Sequence, residues 1–293
     1  MKVQSLSICI PLKNCVNNCK FCVSKLHKND YKYVGSNMID SFISRLQYTR
    51  DQGCDVVVLT GLGEVLQNYK FLQDFIIMNN EIREPYEKIE LQTTGVMLEK
   101  NLTMLDGFIK TISLSVADIF DNDNNLKIEG VPNNLKFNLN DLCKKIINHG
   151  FNLRLSLNML NHYKNKTTKE ILDRCKELGA NQVTFREMYF SKNSFSIKEK
   201  EINDWIIKNK LPFKKFLSKK LTINKIINFI KKNGNPLYKL PFGSVLYSYN
   251  EMSIVIDDDC MNKKKYKDSL KYYILREDCK LYTRWDDKGS LIF

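Results

Sequence analysis

Through its first 190 residues the chain alternates, six times over, a short run of β-branched and aliphatic residues with a segment long enough for a helix. Strands separated by helix-sized spacers cannot pair as hairpins, so they call for a parallel sheet with right-handed crossovers. The runs are Ser5 to Ile10, Asp55 to Thr60, Lys88 to Thr93, Thr111 to Val116, Leu153 to Asn158 and Gln182 to Glu187. Val56-Val57-Val58-Leu59 is nearly continuous and predicts a strand buried on both faces. Apolar stripes predict helices from about Ser36 (Met38, Phe42, Ile43, Leu46), around Phe71 to Ile76, over Leu98 to Leu105, and from Asn140 to Gly150. Thr167-Thr168-Lys169-Glu170 is a capping box opening another helix, which stops at Gly179. Asp118 to Pro132 is rich in Asn, Asp and Gly with no apolar period, and reads as a long loop. The expected fold is α/β, a partial (β/α)6 TIM-like barrel over residues 1–190.

Residues 191–293 change character. The stretch from 195 to 233 reads as helical and basic, Gly234 and Pro236 break it, and short strands follow, with a β-hairpin around Val245 to Ile256. We expect a C-terminal α+β cap, basic helices first and short strands after.

A chain of 293 residues, 43% hydrophobic and 27% charged, can bury a large core. No apolar run approaches the roughly 20 residues that cross a bilayer. Polar residues interrupt the N-terminal apolar stretch, which makes it a poor signal peptide. Nine cysteines without a leader point to a reducing cytoplasm, where thiols stay free or bind metal. The formal charge of +13 is mostly local, since residues 192 to 232 hold twelve lysines against Glu199, Glu201 and Asp204. Only eight arginines stand against 38 lysines, whereas forked recognition of phosphates favours arginine. The block is either a solvated helical face or a site for an anionic partner.

Directly after the first strand stands Cys15-Val16-Asn17-Asn18-Cys19-Lys20-Phe21-Cys22, a C-x3-C-x2-C pattern with an aromatic before the third cysteine. Three thiolates within eight residues can wrap one iron-sulfur cluster and leave one iron without a protein ligand, open to a substrate or cofactor. Zinc sites usually present two paired motifs, but Cys9, Cys54, Cys143, Cys175, Cys260 and Cys279 are scattered singly, as are His27, His149 and His162. An iron-sulfur site is the favoured reading, with zinc and free thiols as alternatives. Cys143 and Cys175 fall on apolar stripes and read as core, and Cys9 and Cys54 look equally bland. Cys260 and Cys279 fall in the cap, open to a second cluster or a thiol role, although acidic neighbours dull a nucleophile.

Ligands collect at the carboxyl ends of parallel strands. The cysteine loop follows strand one, and strand two ends in Thr60-Gly61-Leu62-Gly63-Glu64, where glycine admits a close backbone approach and the carboxylate suits a cation. Strand three ends in Thr93-Thr94-Gly95. Strand four offers Ser113, Ser115 and Asp118, strand five Arg154 and Asn158, and strand six Arg186 and Glu187. Tyr282, Arg284 and Trp285 either line a substrate pocket or pack a terminal strand.

Together these features resemble the radical S-adenosylmethionine superfamily over roughly residues 5 to 190. That resemblance implies an oxygen-sensitive [4Fe-4S] cluster on Cys15, Cys19 and Cys22 whose open iron chelates S-adenosylmethionine through its amino and carboxylate groups. It implies reductive cleavage to methionine and a 5'-deoxyadenosyl radical that takes hydrogen from a substrate, with an electron donor such as flavodoxin or ferredoxin. By the same resemblance Gly63 and Glu64 help bind the cofactor's amino group and Phe21 lies by the adenine. Arg154 or Arg186 suits the cofactor carboxylate, and Thr94, Ser113, Ser115 or Asn158 the ribose hydroxyls. Leu62 stands where the family's first glycine does, and Val65 where a proline often follows the glutamate. A nucleotide or RNA, a peptide and a small metabolite all remain open as substrates. The rival reading is a non-catalytic iron-sulfur or zinc protein that binds nucleic acid.

Overall fold

The computed structural model describes residues 2–26, 39–190, 196–213, 220–240, 244–257, 269–285 and 287–293. The predicted start of the first helix, with Met38, lies outside the described residues, as do His27 and Cys260. In order, the elements are β1 (Lys2–Ile10), α1 (Ile39–Asp51), β2 (Val56–Gly61), α2 (Tyr69–Asn80), β3 (Lys88–Thr93), α3 (Leu98–Leu105), β4 (Thr111–Val116), α4 (Asn122–Ile128), α5 (Leu139–Asn148), β5 (Asn152–Asn158), α6 (Thr168–Glu177) and β6 (Gln182–Arg186). Then follow α7 (Ile197–Asn209), α8 (Ile223–Asn233), β7 (Asn235–Lys239), β8 (Val245–Tyr249), β9 (Met252–Asp257), β10 (Ser269–Leu275) and β11 (Leu281–Tyr282).

The strands form one 11-stranded sheet in the order β11-β10-β1-β2-β3-β4-β5-β6-β9-β8-β7. β1 to β6 pair in parallel with their sequence neighbours, as the helix-sized spacers require. The C-terminal segment extends this sheet at both ends, with β10 parallel to β1 and β9 parallel to β6, so eight consecutive strands run the same way. The predicted hairpin is β8 with β9, joined antiparallel and continued by β7. β9 and β10 end the parallel run on opposite sides, yet Lys271 Nζ of β10 lies 2.7 Å from Asp257 Oδ1 of β9. The sheet therefore curls into an open barrel whose two ends meet through an ion pair.

The strands alternate apolar and polar residues along this curl. Leu6, Val57, Leu59, Leu91, Ile112, Leu114, Leu153, Leu155 and Phe185 point to the helices and form the main core. The alternate positions, among them Ser7, Gln92, Ser113, Ser156 and Thr184, face the barrel interior. Val56 and Val58 also face inward, so β2 is buried in the core on one side only. A TIM barrel packs its interior with branched apolar side chains. Here the interior is an open cavity lined by polar and apolar side chains together.

The stretch from Asp118 to Pro132, expected as a loop, contains α4. Its Asp121 side chain accepts from Asn124 N at 2.9 Å, and the buried Asn125 Oδ1 accepts from Ala117 N and Asp118 N at 2.8 and 3.1 Å. A helix of seven residues held by polar side chains leaves no apolar period to detect. Among the described residues no helix is long and apolar enough to cross a membrane.

Candidate active site

The cysteine loop is pinned from three sides. From the turn after β2, Gln67 accepts from Val16 N at 2.8 Å and donates to Asn14 O at 3.2 Å, and Asn68 donates to Pro11 O at 2.8 Å. Asn17 donates to Thr94 Oγ1 at the end of β3 at 2.8 Å. Asn18 N and Lys20 N donate to the carbonyls of Gly130 and Ile128, at 3.1 and 3.0 Å, just past and within α4. Two glycines permit this packing. A Cβ on Gly63 would stand 3.1 Å from Cys15 Cβ, and one on Gly130, whose φ is +60°, would stand 2.4 Å from Asn18 O.

Glu64 ties the ends of β2 and β3 together. It is 2% exposed, and Oε1 accepts from Thr93 Oγ1 at 2.6 Å and Leu66 N at 3.4 Å, while Oε2 accepts from Thr94 N and Thr94 Oγ1 at 3.0 and 2.8 Å. Burial pushes its carboxyl above the usual carboxylate range against the pull of those four bonds.

All twelve candidate residues from the sequence line one cavity of about 570 Å3: Cys15, Cys19, Phe21, Cys22, Gly63, Glu64, Thr94, Ser113, Ser115, Arg154, Asn158 and Arg186. That volume lies within the roughly 300–1,000 Å3 of small-ligand pockets. The residues differ in what already holds them. Arg154 is ion-paired with the buried Glu90 and donates to Gln182 Oε1 at 2.7 Å, so its charge is matched within the barrel wall. Asn158 donates to Ser115 Oγ at 3.1 Å. Arg186 Nε and Ser156 Oγ are buried without a hydrogen-bond partner among the described residues. Phe21 stacks at a tilt on Trp205 of α7, with ring centroids 6.3 Å apart. Asp118 lies off the cavity, 3.5 Å from His162 Nε2.

The three cysteines are half-buried and share the cavity's upper wall. Burial, then nearby carboxylate and thiolate charge, raise the Cys15 thiol and hold Cys19 well above its ordinary range, with Glu129 the first of the charges at Cys19. A cationic metal centre reverses that preference and releases protons as it binds. Among the described residues no three His, Cys, Asp or Glu side chains close on a single ion. Three soft sulfur donors lining one cavity are the donor set an iron-sulfur cluster takes.

The floor of the cavity was not foreseen. Glu90, Gln92, Gln182, Lys271 and Tyr272 line it, and Arg276, just past the carboxyl end of β10, lines the cavity wall. The period-two polar alternation of the strands was the available signal for the first three. Trp285 also lines it, with the Arg276 guanidinium 4.7 Å above its ring, whereas Tyr282 is buried in β11 and Arg284 stands off the cavity beside Asp287. Cys9, Cys54, Cys143 and Cys175 are buried thiols, as expected of core residues. Cys279 is buried too, and burial first, then Asp278, pushes it up to about 11.

An open barrel of parallel strands around a ligand-sized cavity defines the class of fold. Two solved structures share it. The Streptococcus suis SuiB bound to S-adenosylmethionine matches over 95% of this chain and 58% of its own, with 13% identity and a TM-score of 0.51. The native anSMEcpe with bound AdoMet matches over 96% of this chain and 74% of its own, with 13% identity and a TM-score of 0.57. This chain thus spans less than two thirds of the length of SuiB. No protein-family model matches the chain, and no curated protein sequence does.

Proposed function

We propose that this chain is a radical S-adenosylmethionine enzyme carrying a [4Fe-4S] cluster on Cys15, Cys19 and Cys22. The observation that carries this reading is the convergence of those three thiols with nine further candidate residues on one cavity, in a fold shared with two proteins solved with the same sulfonium compound bound. Cluster and cofactor together supply a 5'-deoxyadenosyl radical for hydrogen abstraction.

The chain's own residues bind, orient and shield. Gly63 lets the backbone approach the cysteine loop, and Glu64, held by Thr93 and Thr94, offers negative charge to the cofactor's amino group. Of the two guanidinium groups, Arg186 is the better suited to the cofactor carboxylate, because its buried Nε has no partner while Arg154 is already engaged by Glu90. Ser113, Ser115, Asn158 and Thr94 supply hydroxyl and amide groups for the ribose, and Phe21 an apolar wall for the adenine. The substrate occupies the polar floor, where the barrel wall keeps bulk water from the reacting centre. That substrate is a nucleotide or RNA, a peptide or a small metabolite. The electron comes from a reduced carrier such as flavodoxin or ferredoxin, in a reducing cytoplasm that keeps the cysteines as thiols.

Anaerobic reconstitution with iron and sulfide, then dithionite and S-adenosylmethionine, should yield 5'-deoxyadenosine detectable by mass spectrometry. Cys19→Ala should reduce that product at least a hundredfold. Undiminished product from this variant would overturn the cysteine assignment, and none from the parent would leave the rival non-catalytic reading standing.

A further inference from the structure

We propose that the outer face of the cysteine loop is the docking surface for an acidic, low-potential electron-carrier protein. The inference rests on the enzyme reading above.

Two segments form this face, residues 11–26 and 126–137, laid side by side by the bonds from Asn18 N to Gly130 O and from Lys20 N to Ile128 O. Val16 packs with Leu135 and Phe137 in one small apolar cluster, which brings the stretch around Lys136 against the loop. The two segments hold five lysines, Lys13, Lys20, Lys25, Lys127 and Lys136, against one carboxylate. That carboxylate, Glu129, is fully buried and presents nothing to solvent. Lys13, Lys20, Lys127 and Lys136 are exposed, and none takes part in an ion pair among the described residues. The basic block divides: α8 carries Lys225, Lys231 and Lys232 with no acid, far in sequence from the cysteines, whereas α7, whose Trp205 touches Phe21, is balanced. Helix α7 interleaves Lys198, Lys200 and Lys208 with Glu199, Glu201 and Asp204, so it has no net charge.

Position selects the occupant. Lys20 adjoins Cys19 in sequence, and Lys13 lies two residues before Cys15. The cysteines' other side faces the cavity, which Phe21 also lines, backed by Trp205. Electron transfer falls steeply with distance, so a carrier must approach from outside the loop while substrate fills the interior. Unpaired positive charge around that approach speeds encounter with an acidic partner and sets its orientation. A single electron passes from the reduced carrier to the cluster, and the carrier leaves oxidised by one electron.

The test compares Lys13→Glu/Lys127→Glu/Lys136→Glu with Lys198→Glu/Lys200→Glu/Lys208→Glu, which makes the same change in net charge on α7. Reconstituted proteins are reduced with dithionite, or with photoreduced flavodoxin, and bleaching of cluster absorbance is followed by stopped flow alongside 5'-deoxyadenosine formation. Expected are equal yields from all three proteins with dithionite. With flavodoxin at low salt, the loop-face variant should be reduced about tenfold or more slowly, the α7 variant at the parent rate, and the parent more slowly as salt rises. Equal flavodoxin rates in parent and loop-face variant, or an equal loss in the α7 variant, would overturn the docking surface. Absence of 5'-deoxyadenosine from the dithionite-reduced parent would instead overturn the enzyme reading.

Discussion

Glu129 shows how much one side chain beneath the cysteine loop can weigh. Both of its oxygens are buried without a hydrogen-bond partner among the described residues, and burial, then the charge of Glu64, drives its carboxyl well above the ordinary value of 4.5. The folded chain therefore keeps a proton that the unfolded chain gives up. Stability from this group is complete below about pH 4.5 and declines as pH rises toward the folded pKa. Glu129→Gln removes the penalty. The cluster-free variant should melt higher than the parent at pH 7, by on the order of a few °C, and no higher at pH 4. Thermal scans from pH 4 to 8 check this, and a gap that fails to widen with pH would mean that a counter-charge reaches the carboxylate. Glu64, by contrast, spends its oxygens on four donors, so its burial is offset by hydrogen bonds.

At the scale of elements, α4 explains why the loop after β1 has a defined shape. It stands behind the cysteines, and its end offers the carbonyls of Ile128 and Gly130 to the backbone of Asn18 and Lys20. It is seated in turn by Asn125, 1% exposed, which satisfies the amides of Ala117 and Asp118 where the chain leaves β4. Asn125→Ala strands both amides, and at ~1–3 kcal/mol for each buried unsatisfied group the chain should lose about 2–4 kcal/mol in urea unfolding. Asn125→Asp, which keeps an acceptor, should lose less. A neutral Asn125→Ala would mean that water replaces the side chain. The longer helices needed no such device. The α5 stripe of Leu142, Cys143 and Ile146 and the Thr167–Glu170 capping box of α6 were readable because each is a repeated local pattern.

For the whole molecule, the decisive contact is the one across the barrel's open side. Lys271 and Asp257 are only 12% and 16% exposed, and they join strands from opposite ends of the parallel run. Removing one partner breaks a largely buried contact, so Asp257→Ala should destabilise the chain by about 1–3 kcal/mol. Asp257→Leu combined with Lys271→Met should recover most of that loss in the same denaturation assay. A fully neutral single variant would show that the barrel is not held at this seam. The six parallel strands and their helices were legible in the chain because burial on one face imposes period two on strands and period 3.6 on helices, and both are local. The residues at the strands' carboxyl ends were legible because parallel strands all deliver those ends to one side, whereas Ser113 and Arg154 sit lower in the barrel, level with Gln92 and Gln182. Neighbours distant in sequence were not legible: Glu90 beside Arg154, Glu129 under Cys19, and β9 and β10 closing the curl from the far end of the chain. Local periodicity determined which elements form and which way they run. How far the sheet curls, which charges it pairs and what faces the cavity depended on packing between residues scores of positions apart, and that only the tertiary structure decided.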